Sequence, residues 1–220
     1  ARPVATATDR QGRVFVAEAG ANRIQRFSGE PLVGATIHNA AGLAGLCCAV
    51  KGGTEVLLAI EGNQIQVLDL DGTAVGALHP PVGDAFAQPV DISQDGQGKT
   101  WVLERQPPRL LWLGNDEPWD APMRAVTLDL PGGDLQEPTG VWGDPLGRVY
   151  LTDKGRHLVY MLDGSGALLA YWDMEHLLRQ RLRIVHQAEE DGQVTLADPG
   201  HRRPTQLYYG GAAWEITSAT

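Results

Sequence analysis

Apolar residues fall in short runs along this chain, separated by clusters of Gly, Pro, Asp and Asn. Such punctuation predicts short strands joined by tight turns. The stretch Glu137–Gly166 shows the unit most clearly. A turn at Pro138 leads into a short apolar strand, and Asp144-Pro145-Leu146-Gly147 makes a tight turn. A second strand runs Arg148–Thr152, followed by an acid and a glycine at Asp153 and Gly155. A third strand, His157–Leu162, closes on Asp163-Gly164.

The same unit recurs. A shift of 135 lays Pro3, Asp9, Gly12, Arg13, Val14, Glu18, Gly20 and Ile24 on Pro138, Asp144, Gly147, Arg148, Val149, Asp153, Gly155 and Val159 without a gap. Shifts of 42, 86 and 180 from the opening copy bring further copies into line, with Val56–Leu58, Trp101 and Val194 on the second strand. A spacing of about 45 residues suits a four-stranded propeller blade. Fourth strands are expected at Leu32–Ile37, Ala74–Leu78, Met123–Leu130, Ala167–Trp172 and Ala212–Ile216.

One such sheet cannot bury both faces alone, whereas a ring of them can. The pattern therefore predicts an all-β fold: a five-bladed β-propeller of four-stranded antiparallel blades. It would form one domain over 1–220, with units starting near residues 3, 45, 89, 138 and 183. The one amphipathic run with helical spacing, Trp172–Leu182, predicts a short helix between blades four and five. In the fifth unit Pro204 cannot donate to a ladder, so its third strand should begin near Gln206.

Charge narrows the function classes. With 27 acids against 18 bases the formal charge is −9, which disfavours nucleic-acid binding. No apolar run approaches the ~20 residues of a membrane helix. The sequence opens on Ala1 rather than Met, as after signal-peptide removal or a cloning choice. A periplasmic or secreted location is expected, with a cytoplasmic one as the alternative.

The two cysteines, Cys47 and Cys48, are adjacent on the expected innermost strand of the second unit. They admit two readings: a strained vicinal disulfide, which needs an oxidising compartment, or two small apolar residues on a buried strand. The longest irregular insertion, Asn115–Asp120, is a place for a partner or ligand contact or simply a solubilising loop. The stretch Asn39–Ala44 reads as a flexible linker.

Four units place an acid at the end of the second strand: Glu18, Glu104, Asp153 and Asp198. A recurring slot inside one chain serves the repeat, here by accepting backbone N–H groups of the following turn.

The pattern at Pro138–Gly155, PTGVWGDPLGRVYLTDKG, and VFVAEAGANRIQRF at Val14–Phe27 resemble the NHL-repeat family of β-propellers. The resemblance implies a propeller used as a binding platform, and is specific for architecture rather than activity. Some proteins it resembles, the gluconolactonase-like, amidoglycolate-lyase and streptogramin-lyase groups, are metal-dependent enzymes; the first holds its ion on the axis with Glu, Asn and Asp. Here Ala1-Arg2-Pro3 stands where that Glu would be. Asn22, Asn39, Asn63 and Asn115 all lie off the innermost strands, and five units would narrow the channel.

The expected innermost strands carry Cys47, Cys48, Asp91, Trp142 and His186, the residues placed to line the axis or its mouth. Asp91 and His186 alone among them combine acid–base and metal-ligating chemistry. The leading expectation is a non-catalytic binding or scaffold propeller with a protein partner or small ligand at one face. No cofactor is expected beyond a possible axial Ca²⁺. The alternative is a metal-dependent hydrolase or lyase using Asp91 and His186.

Overall fold

The computed structural model describes residues 2–29 and 33–174, together with the strand segments Gln206–Tyr209 and Ala212–Glu215. The chain divides into two units, Ala1–Trp172 and Asp173–Thr220.

The first unit is all-β. Its sixteen strands form four sheets of four, each made of consecutive strands in chain order. Blade one holds β1 (Pro3–Thr8), β2 (Val14–Glu18), β3 (Arg23–Ser28) and β4 (Val33–Asn39). Blade two holds β5 (Leu43–Lys51), β6 (Thr54–Glu61), β7 (Gln64–Leu68) and β8 (Ala74–Ala77). Blade three holds β9 (Pro89–Gln94), β10 (Thr100–Arg105), β11 (Pro108–Leu113) and β12 (Arg124–Ala125). Blade four holds β13 (Pro138–Gly143), β14 (Val149–Asp153), β15 (Leu158–Leu162) and β16 (Leu168–Asp173). The first strands of successive blades, β1, β5, β9 and β13, lie against one another. This is the arrangement of a propeller.

One turn, found five times among the described residues, generates the repeat. In Asp-x-x-Gly, the aspartate Oδ1 accepts the N–H groups two and four residues on. Asp9 takes those of Gln11 and Arg13, Asp95 those of Gln97 and Lys99, and Asp144 those of Leu146 and Arg148. Asp69 and Asp163 do the same between the third and fourth strands of their blades. The glycine that follows, such as Gly12, Gly98 or Gly147, sits at φ near +80°, a conformation that costs any residue with a Cβ. Both ends of the motif are thus fixed by chemistry. The β5–β6 hairpin substitutes Gly52-Gly53, both at positive φ, as a two-residue primed turn requires.

The core lies between the blades. On β6, Leu57 and Ala59 face blade one, while Val56, Leu58 and Ile60 face blade three. A strand covered on both sides has no solvent face, which is why β6 reads as a continuous apolar run. On β10, Trp101 and Leu103 enter the cluster with Val141, Val149, Leu151 and Tyr160 of blade four, and Val102 turns back towards blade two. Each fully buried leucine contributes ~1.5–3 kcal/mol.

Several boundaries differ from expectation. The supposed linker at Asn39–Ala44 shortens to residues 40–42, because Asn39 ends β4 and Leu43 is already buried in β5. The fourth strand of blade three pairs only at Arg124 and Ala125. Beyond it Leu130 and Leu135 fold back over the blade-three–four core instead of extending the sheet. His157 belongs to a turn at φ +57°, and β15 starts one residue later.

The second unit contributes β17 (Gln206–Tyr209) and β18 (Ala212–Glu215), an antiparallel pair in which Leu207 lies opposite Trp214. Its strand starting at Gln206 is where Pro204 led us to expect one. The first two strands expected of the fifth unit, Asp198, His186 and residues 175–182 of the expected helix lie outside the described residues, while Trp172 and Asp173 end β16. Among the described residues no helix is long and apolar enough to cross a membrane.

Candidate functional site

Asp91 sits on β9, the innermost strand of blade three. An innermost strand has one edge without a sheet partner, so alternate backbone N–H groups there need other acceptors. On β13 they are met by side chains of β9: Asp91 Oδ2 accepts from Val141 N–H at 2.9 Å, and Ser93 Oγ accepts from Gly143 N–H at 3.0 Å. Towards blade two, Gln94 imitates a peptide: its Oε1 accepts the Val50 N–H at 2.7 Å and its Nε2 donates to the Val50 carbonyl at 3.0 Å. Close approach makes this possible, since a Cβ on Gly143 would lie 2.8 Å from the Asp95 Cα.

The second Asp91 oxygen accepts the Ile92 N–H at 2.9 Å. Burial pushes the Asp91 carboxyl above its ordinary range, and the Val141 and Ile92 N–H groups pull only partly in the other direction.

Among the described residues, the others expected at the site do not converge on it as a group. Cys47 packs into the blade-two–three interface, within electrostatic reach of Asp91. Cys48 points the opposite way, into the blade-one–two interface. Both thiols are free, and burial pushes each up to about 12. The Cys47 Sγ donates to the Cys48 carbonyl at 3.2 Å. Trp142 is on β13 but on the face away from Val141, 56% exposed, its ring 5.4 Å from that of Tyr150 across the β13–β14 pair. His186 lies outside the described residues.

The acids that end the second strands are structural fixtures. Glu18, Glu104 and Asp153 stand opposite Pro3, Pro89 and Pro138, the prolines that open each innermost strand. Proline has no N–H to offer the ladder. The carboxylates reach past it to the connector: Glu104 accepts the Ala87 N–H, and Asp153 those of Gln136 and Glu137. The expected partner, the turn that follows, is thus replaced by the segment that enters the blade. Arginines complete the pairs, Arg23 with Glu18 and Arg109 with Glu104, both at 2.5 Å. Among the described residues no three His, Cys, Asp or Glu side chains gather as a metal site.

Two further places invite inspection. The loop at 115–120 is tied down: Glu117 accepts the Gly114 N–H and pairs with Arg124, while Lys51 donates to the Gly114 and Glu117 carbonyls and lies 4.2 Å above the Trp119 ring. On the same side, Arg10, the Gly52-Gly53 turn, Gln94–Gly98 and Asn115 border an open depression of about 310 Å³. The buried polar groups there are satisfied, Asp95 by the Gln97, Lys99 and Trp101 N–H groups. The loop stood out in the sequence as the longest irregular insertion; the depression did not, its only signal being turn glycines at equivalent slots.

No family model matches the chain, and no curated protein does. Solved structures do match. A streptogramin B lyase superposes with a TM-score of 0.56 at 16% identity, covering 76% of this chain and 53% of its own. Virginiamycin B lyase from Staphylococcus aureus gives 0.55 at 16%, over 76% and 54%. A nidogen/laminin complex gives 0.59 at 16%, over 77% and 63%. The chain therefore spans little more than half the length of the two lyases. The fold is a β-propeller.

Proposed function

We propose that the chain is a non-catalytic binding propeller of five blades, the fifth supplied by the repeat that starts near residue 183 and preceded by a short helix. The observation that carries the binding reading is the use to which its carboxylates are put. Asp91 Oδ1 and Oδ2 each accept a backbone N–H, and Glu104 and Asp153 hold connectors in place. Carboxylates so engaged position strands. The two lyases and the nidogen/laminin complex among its neighbours tell us that this fold serves both kinds of role elsewhere.

The fifth blade is supported by the outer face of blade four. Trp142, Tyr150, Val159, Met161, Leu169 and Tyr171 alternate with the residues that face blade three, and Leu169 and Tyr171 are each 51% exposed. A sheet with one wet side alternates apolar with polar residues; this sheet is apolar on both.

The test is an assay of the purified full chain for lactone hydrolysis and for lyase turnover, with Ca²⁺, Mg²⁺ or Zn²⁺ added, beside the variant Asp91→Asn. The expected result is no turnover that depends on Asp91. Metal-dependent turnover abolished in Asp91→Asn overturns the reading in favour of the hydrolase or lyase alternative.

A further inference from the structure

The open depression of about 310 Å³ is bordered by three blades. Blade one brings Arg10 of its Asp9–Gly12 turn, blade two its Gly52-Gly53 turn, and blade three its Asp95–Gly98 turn with Asn115 of the loop after β11. The volume falls at the lower end of the ~300–1,000 Å³ of small-molecule sites. It suits one small ligand rather than a polymer chain.

The floor is fixed by Gln94, which bonds both polar groups of the Val50 peptide and also donates from Nε2 to the Gly98 carbonyl at 3.1 Å. Asn115 is seated by packing. A Cβ on Gly98 would lie 2.5 Å from the Asn115 Oδ1, so the glycine leaves the room that the carboxamide occupies. That carboxamide is held in place yet makes no hydrogen bond among the described residues.

The groups left free here are mainly donors. Arginines elsewhere are committed to carboxylates, as Arg13, Arg26, Arg109 and Arg148 are. Among the described residues only Arg2 and Arg10 offer a guanidinium without a protein partner. Neither the Gly52 nor the Gly53 N–H has an acceptor among the described residues. Successive N–H groups in a turn make a concavity suited to an anion. The acids of this region are engaged. Asp95 accepts the Gln97, Lys99 and Trp101 N–H groups, Glu55 Oε1 accepts the Arg10 main-chain N–H at 3.1 Å, and Asp116 lies within electrostatic reach of Lys51.

We propose that this depression binds a small polar molecule bearing a carboxylate or a phosphate. Arg10 clamps the anionic oxygens, whose charge-assisted bonds are the strong ones. The Gly52 and Gly53 N–H groups add neutral donors, and the Asn115 carboxamide, which both donates and accepts, meets hydroxyls on the rest of the ligand. The inference rests on the reading of the chain as a binding propeller, and gives that reading a place and a ligand class.

Calorimetric titration of the full chain at low salt, where exposed charges are least screened, tests it with glucuronate, glucose 6-phosphate and glucose as probes. At least one of the two acids should bind at least about tenfold more tightly than glucose, and which one does so tells carboxylate from phosphate. Arg10 and Asn115 are both exposed, so their variants should fold. Arg10→Gln and Asn115→Asp should each weaken the acid at least about tenfold. Arg2→Gln removes the same charge elsewhere and should leave it unchanged. In amide NMR spectra the Gly52 and Gly53 resonances should move on titration. Failure of both acids to bind, glucose binding as tightly as they do, or binding that Arg10→Gln and Asn115→Asp leave intact overturns the proposal. None of those results touches the non-catalytic reading, which stands or falls on the turnover assay.

Discussion

Asp91 and Val141 stand 50 residues apart in sequence, yet the carboxylate of the first accepts the backbone N–H of the second at 2.9 Å. Ser93 and Gly143 repeat the relationship two residues on, at 3.0 Å. The matching step of two along both strands means that β9 offers β13 a row of side-chain acceptors in place of a sheet partner. Between β9 and β13 the contact of the strand edges is thus polar, while the strands behind them pack through the apolar cluster of Trp101, Leu103, Val149 and Leu151.

Truncating Asp91 should therefore behave as a structural lesion. Asp91→Ala orphans the Val141 N–H and should cost ~1–3 kcal/mol in urea unfolding; Asp91→Asn retains one acceptor and should cost less. The pH dependence carries a sign. An aspartate in the unfolded chain titrates at its ordinary ~3.9, and burial raises Asp91 above that in the folded chain. Folded Asp91 thus keeps its proton longer, and wild-type stability falls as pH rises through that window. The penalty of Asp91→Asn relative to wild type should shrink over the same window. A penalty that grew with pH would contradict the assignment.

Glu104 and Glu137 make a matched contrast. Glu104 is fully buried and joins the Ala87 N–H to Arg109, which also reaches Asp84. Glu104→Ala leaves the Ala87 N–H and the Arg109 Nε–H without their acceptor while Arg109 keeps Asp84, and should cost ~1–3 kcal/mol. Glu137 pairs with Lys154 at 3.0 Å in the open, with side chains 41% and 68% exposed. Glu137→Gln should shift stability by no more than ~0.5 kcal/mol. Chemical denaturation of both variants under one set of conditions provides the comparison.

The architecture was legible because its turns are made of obligatory chemistry. An Asp that must accept two N–H groups and a Gly that must adopt positive φ cannot drift far, so Asp9…Gly12 and Asp144…Gly147 still align 135 residues apart. Asp91 was also legible, as a polar residue on an innermost strand. Its Val141 partner was not, since that contact depends on how closely two unpaired strand edges approach. The recurring acids were read as structural, but their partners were placed in the wrong segment. Local sequence spacing favours the following turn, whereas Glu104 and Asp153 reach across a proline to the preceding connector. The short β12 was hidden for a similar reason: apolar residues at 126–130 suit a strand equally well as a covering segment.

Two glycines separate backbone strain from crowding. Gly53 and Gly72 both sit at positive φ, +80° and +92°. A Cβ on Gly53 meets nothing within 4 Å, whereas one on Gly72 would lie 2.1 Å from the Ile37 carbonyl oxygen. Gly53→Ala should cost only the conformational term, ~1–2 kcal/mol. Gly72→Ala must in addition push blade two off β4, and should cost clearly more. Amide exchange at β4 should then accelerate in Gly72→Ala and stay unchanged in Gly53→Ala.

The thiols supply a prediction that bears on reactivity. Burial raises both Cys47 and Cys48 to about 12, with Cys47 and Glu55 adding negative potential at Cys48. The thiolate is the reacting species, and at about pH 8 a group titrating near 12 is ionised in roughly one molecule in ten thousand. Alkylation by iodoacetamide in the native state should therefore be slower than in urea by a factor on the order of a thousand or more, since an ordinary cysteine titrates near 8.5. Cys47 and Cys48 should react together once the blades separate, because their side chains lie in the two interfaces flanking β5. Rapid modification of either residue in folded protein would mean that these half-buried thiols ionise more readily than their surroundings allow.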